Sequence, residues 1–171
     1  MKRGFTMKLV LWSVLVAAGI FASLAYSHCQ IPCGIYNDQM RFDMMTEHIA
    51  TIEKAINQIT QLSGEAKPNM NQIVRWVENK DKHADEMSEV ITYYFMAQRV
   101  KPAVESDTKA YNEYVKQLTL LHEMLVYTMK AKQTTDLANV EKLRSLLAKF
   151  HDVYFGKTSA DGQDHSSDKH G

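Results

Sequence analysis

The only two cysteines of the chain fall within nine residues, His28-Cys29-Gln30-Ile31-Pro32-Cys33-Gly34-Ile35-Tyr36. A chain that begins at His28 offers a free α-amine, the backbone amide and thiolate of Cys29, and a second thiolate at Cys33. Two nitrogens and two sulfurs can close a plane around one ion. The chelate rings from the amine through the amide to the Cys29 sulfur are small, so little chain entropy is lost in closing them. A deprotonated amide requires a metal that favours square-planar nitrogen and sulfur donors, which points to Ni(II) or Cu(II) and away from tetrahedral Zn. The imidazole of His28 is left over and can approach from above as a fifth ligand. Pro32 stiffens the turn that returns Cys33 to the metal, and Gly34 lets backbone lie close to the site. Tyr36 would stand over the open face.

This donor set exists only if residues 1–27 are removed. Lys2, Arg3 and Lys8 make a basic start without acids, Leu9 to Leu24 is almost wholly apolar, and Ala25-Tyr26-Ser27 ends in a small-x-small pattern. That describes a secretory signal peptide cleaved before His28. The alternative is an uncleaved membrane anchor, since Leu9 to Tyr26 gives 18 residues, about the minimum to span a bilayer. Cleavage leaves 17 Lys and Arg against 20 Asp and Glu, a mildly acidic chain without the basic stripe that nucleic acid requires. Signal peptidase becomes a maturation partner, and the expected location is exported, periplasmic or extracellular, with no stable membrane association after cleavage. An oxidising compartment also allows a Cys29–Cys33 disulfide, although a bridge closing so short a loop at a free terminus does little for a fold.

The elements that must position the hook read as helices, with no alternating strand pattern. Asn37 or Asp38 can cap a first helix, on which Met45, Ile49, Ile52, Ile56 and Ile59 recur at helical spacing. Ser63-Gly64 ends it. Asn69 can cap a second, with Ile73, Trp76, Val77, Ala84, Met87, Ile91 and Tyr94 on one face, until Lys101-Pro102 breaks the pattern. A third carries Tyr111, Tyr114, Leu118, Leu121, Leu125 and Met129. Gln133 to Asp136 makes a short connection and a cap. The fourth carries Leu137, Val140, Leu143, Leu147, Phe150 and Tyr154 and stops at Gly156. The expected fold is all-α: an up-down-up-down four-helix bundle over 37–155 behind an N-terminal metal-binding hook, 28–36. Residues 156–171 form a polar tail expected to be disordered, whose His165 and His170 are expected to solubilise rather than bind metal. His48, His83, His122 and His151 lie on separate predicted helices in no spacing motif and are expected to be structural or surface residues. The ten methionines are expected to fill the core.

The hook resembles that of the nickel superoxide dismutases, whose processed N-terminus reads H-C-x-x-P-C-G-x-Y. All the fixed positions are present here, from His28 to Tyr36. The stretch RWVENKDKHADEMSEVITYYF, residues 75–95, is similar to the second helix of that family. The resemblance implies a superoxide dismutase, an oxidoreductase that converts superoxide to O2 and H2O2 by Ni(III)/Ni(II) cycling. It implies one nickel ion per subunit and a homohexamer of four-helix bundles. On the matching positions, nickel is held by the His28 amine, the Cys29 amide and the Cys29 and Cys33 sulfurs, with the His28 imidazole axial. Tyr36 guards the open face, Tyr94 is a second tyrosine near it, and Asp43 is the candidate for the carboxylate that orients the imidazole. Gln30 departs from the Asp often found at its position, which changes the local charge. In well-known members of the family a short leader is removed inside the cell, whereas this one resembles an export signal.

Two other readings compete. A non-catalytic exported bundle could trap nickel or copper with the same hook. A purely structural bundle could oxidise Cys29 and Cys33 to a disulfide. The lack of any C-x-x-C-H argues against a c-type cytochrome bundle.

Overall fold

A computed structural model of the protein describes residues 37–156; the leader, the hook and the tail beyond Gly156 lie outside it. The described residues form helices joined by loops, with no strand among them: α1 (Asp38–Ser63), α2 (Met70–Glu89), a π-helical segment (Val90–Arg99), α3 (Thr108–Gln133) and α4 (Leu137–Tyr154). None of these helices is long and apolar enough to cross a membrane. Helix α1 packs along α2 and α4, and α3 packs along α4 and α2, so each helix meets its neighbours in chain order and the fourth closes on the first. With short connections this is the expected four-helix bundle.

Polar side chains start each α-helix by satisfying otherwise orphaned amides. Asn37 accepts from the Gln39 amide, Asn69 from Gln72, Asp107 from Ala110 and Asp136 from Ala138. Of the two expected caps on α1 it is Asn37 that serves, which leaves Asp38 free for another purpose. Beyond α4, Gly156 takes φ 71°, a left-handed conformation open to glycine without a Cβ clash.

The apolar stripe of α1 is buried as its spacing predicts: Met45, Ile49, Ile52, Ile56 and Ile59 all face the core. Elsewhere the stripe shifts. On α3 the buried positions are Leu120, Leu121, Met124, Thr128 and Ala131, whereas Met129 is exposed. Val77 on α2 and Leu137 at the start of α4 are also exposed. The first half of α2 contributes little to the core, and its burial begins at Lys80, Ala84 and Met87.

Lys80 is 3% exposed. Its Nζ donates to the carbonyl of Ala131 at 3.1 Å and to that of Lys132, and lies 3.2 Å from Asp81 Oδ1. A cation thus reaches from α2 to the last turn of α3, where unpaired carbonyls concentrate partial negative charge. The seam continues at the surface, where Lys132 pairs with Asp85 at 2.7 Å.

The sequence gives no sign of the π-helical segment. There the backbone bonds from i+5 to i, as in the 2.9 Å bond from the Val100 amide to the Phe95 carbonyl. Gln98 Nε2 spans the same interval to the Tyr93 carbonyl at 2.6 Å. This winding turns residues five apart toward one side.

Candidate functional site

Asp38 is the second residue after Tyr36, the end of the hook, and opens α1. Its carboxylate is gripped from two other parts of the bundle. Tyr94 Oη and an Arg99 guanidinium nitrogen, both on the π segment, donate to it, and Tyr154 Oη at the end of α4 donates at 2.8 Å. Tyr94 and Arg99 are five residues apart, so the wide winding is what allows both to reach one carboxylate. Arg41, one turn along α1, lies with its guanidinium carbon 4.9 Å from the centre of the Tyr94 ring, within cation–π range.

An aromatic floor supports this grip. Phe42, Phe95 and Phe150 meet with ring centroids 5.0 to 5.3 Å apart, and Tyr154 packs on all three. All three phenylalanines are buried, as is Tyr94. Rings in these edge and tilted arrangements add to the stabilisation from burial alone, and they fix the hydroxyls above them.

The electrostatics follow from the geometry. Burial pushes the Asp38 carboxyl upward, but hydrogen bonds from Arg99, Tyr94 and Tyr154 outweigh it and hold the group below the usual carboxylate range. Burial and the hydrogen bond to Asp38 push the Tyr94 phenol up to about 12. Tyr154 is raised for the same two reasons. At neutral pH, Asp38 is therefore an anion and both phenols keep their protons, donated to it.

Of the residues singled out in the sequence, His28, Cys29, Cys33 and Tyr36 lie outside the described residues. Tyr94 sits in the Asp38 network. Asp43 lies apart from that network and is exposed; its Oδ1 accepts from Gln39 Nε2 at 2.9 Å. It lines an open cleft with Gln39, Phe42, Leu147 and His151, and His151 Nε2 lies 3.1 Å from Gln39 Oε1. Sequence reasoning missed Asp38, Arg99 and Tyr154, because a first-turn acid beside Asn37 reads as an ordinary helix-capping residue. It also separated two histidines that the fold joins: His48 on α1 and His83 on α2 face each other, Nδ1 to Nδ1, at 2.9 Å. Burial, then the neighbouring His83, lower the pKa of His48. His122 is exposed on α3.

The thiols of Cys29 and Cys33 are soft donors of the kind nickel accepts, unlike an oxygen-rich site. Both cysteines of the chain lie in the hook, so no thiolate is available elsewhere. No curated protein and no solved structure matches the chain. The family model described as nickel-containing superoxide dismutase matches residues 23–158, a span that takes in the hook and all four helices. The chain belongs to the nickel-containing superoxide dismutases, oxidoreductases whose cofactor is nickel.

Proposed function

We propose that cleavage before His28 frees the amine that, with the Cys29 amide and the Cys29 and Cys33 sulfurs, holds one nickel ion per subunit, the His28 imidazole serving as a fifth donor. When bound, nickel supplies a Ni(III)/Ni(II) couple through which one superoxide is oxidised to O2 and a second is reduced, with two protons, to H2O2. Electron-rich thiolates and an amidate bring the higher state within reach, so ligand choice sets the potential. The observation that carries this reading is a family match whose span includes both hook and bundle.

The described residues act on the base of the hook. Asp38 fixes the chain two residues beyond Tyr36 to the middle and end of the π segment and to the end of α4. Ligands held on a rigid base need less reorganisation between the two oxidation states. Tyr94 is a positioning residue: its proton is committed to Asp38 Oδ1, so it does not supply the protons of peroxide formation. Tyr36 is proposed to hold the small anion at the open face. Asp43 is proposed, on the resemblance alone, as the partner of the His28 imidazole. Limited access protects the thiolates from peroxide, and assembly as a homohexamer would add to that shielding. The basic, apolar and small-x-small pattern of residues 1–27 supports an exported enzyme, with signal peptidase as the proposed source of the ligand amine.

The test is N-terminal sequencing and elemental analysis of the native protein, with a superoxide assay. The expected result is a chain starting at His28 with one nickel, active, and inactive as Cys29→Ser or Cys33→Ser. Activity retained by a Ser27→Phe form with its leader still attached, or by either cysteine variant, overturns the reading. Nickel bound without dismutation points to a carrier.

A further inference from the structure

Far along α1 from its capped start, His48 meets α2 across the helix interface. His48 Nδ1 lies 2.9 Å from His83 Nδ1, and Glu86 Oε2 lies 3.7 Å from the first and 3.6 Å from the second. His83 and Glu86 stand three apart on α2, one turn on the same face. We propose that these three side chains form a second metal site, for a divalent ion of the zinc class, that clamps α1 to α2.

The argument is the triangle itself. Its three edges place a point about 2.0 Å from every corner, and Zn–N and Zn–O bonds measure roughly 2.0–2.2 Å. An ion slightly out of the plane is then within bonding distance of all three atoms, with the remaining position of a tetrahedron open to water. Protons alone satisfy the group less well. One proton between the two imidazoles makes one hydrogen bond, and the carboxylate stays beyond hydrogen-bond distance of either ring. Two imidazoles and one carboxylate, without sulfur, suit zinc and similar first-row ions, in contrast to the thiolate hook. Helices hold the donors, and the site has both a closed and an open side. The side chain of His48 is 10% exposed, that of His83 25%, and that of Glu86 38%, so an ion can enter from the Glu86 side. The other carboxylate oxygen, Oε1, lies 3.7 Å from Lys82 Nζ. His48 Nε2 is buried without a hydrogen-bond partner among the described residues, so the ring engages its surroundings through the nitrogen that faces the triangle.

The test removes the hook thiolates first. Purified protein carrying Cys29→Ser and Cys33→Ser is titrated with Zn2+ against a chromophoric chelator, and with Co2+ as a spectroscopic probe. The expected result is one equivalent per chain with a Kd on the order of micromolar or tighter, visible Co2+ absorption without thiolate charge transfer, and a thermal midpoint that rises with Zn2+. Adding Glu86→Gln or His83→Ala, both at partly exposed positions, weakens binding by about a hundredfold, or two decades in Kd, and removes the Co2+ bands while far-UV circular dichroism keeps its helical signal. If the thiolate-free protein binds no equivalent at about 100 times a micromolar Kd, the site does not exist. If the equivalent survives both added substitutions, it belongs elsewhere, as at His165 and His170, and the proposal is overturned. Neither result depends on the nickel hook.

Discussion

Asp38, which the sequence marks only as a possible helix cap, ties three elements of the bundle together. Its charge is held by one guanidinium and two phenols, and hydrogen bonds to a charged group contribute about 1.5–3 kcal/mol each. Replacing it by Asn in Asp38→Asn is expected to lower stability by about 2 kcal/mol at neutral pH, measured by urea unfolding, and to reduce dismutase activity by loosening the base of the hook. The effect is pH-dependent with a definite sign. Because the Asp38 carboxyl is held below its ordinary value, its contribution is intact above about pH 4 and is lost as pH falls through the lowered value. The gap between wild type and variant therefore narrows in acid. The Tyr94 phenol, pushed up to about 12, behaves in the opposite sense. Its contribution is intact below about pH 10 and disappears as pH climbs toward 12, where ionisation favours the unfolded chain. In Tyr94→Phe that alkaline loss should be smaller. A histidine site of the kind proposed between α1 and α2 would add a metal dependence to these profiles, which chelation separates from the carboxylate effect.

Helix starts were legible in the sequence because capping chemistry is local: Asn69 and Asp136 serve where their types and positions place them. The α1 stripe was legible because its apolar residues recur without competitors. On α3, apolar residues surround the helix, with Leu118, Leu120, Leu121, Met124, Leu125, Val126 and Met129 close together. Spacing alone then offers several faces, and packing against α2 and α4 chooses among them. The π segment has no local signal because its winding serves a distant carboxylate. The His48–His83 contact spans 35 residues and exists only once α1 and α2 pack. Lys80 shows what such a tertiary demand can be worth. A lysine that reads as a solvated charge is buried to satisfy the last carbonyls of α3. Lys80→Met keeps the stem and removes the donors, so the carbonyls of Ala131 and Lys132 lose their partner; the expected cost is about 1–3 kcal/mol, read from the shift in urea midpoint. Little change would show that the capping contributes nothing net.

The bundle leaves an apolar row uncovered at the whole-molecule scale. Met70, Val74 and Val77, at helical spacing on the first half of α2, are 63, 50 and 36% exposed. This half contributes little to the core of its own subunit, and the row supports the homohexamer that we propose. Val74→Glu should shift the assembly to smaller species in light scattering coupled to size exclusion, with helical content unchanged. An unchanged mass would place the subunit contact on another face. The hand-hold on Asp38 has a longer reach than its few ångströms. It joins the first turn of the bundle to Tyr154, the last helical residue, so positions 116 apart in sequence share one knot. Fraying at the trailing end of the chain therefore slackens its leading end. A cut that removes Tyr154 therefore acts on the base of the proposed nickel hook from the far end of the bundle, and whatever steadies the end of α4 tightens the start of α1.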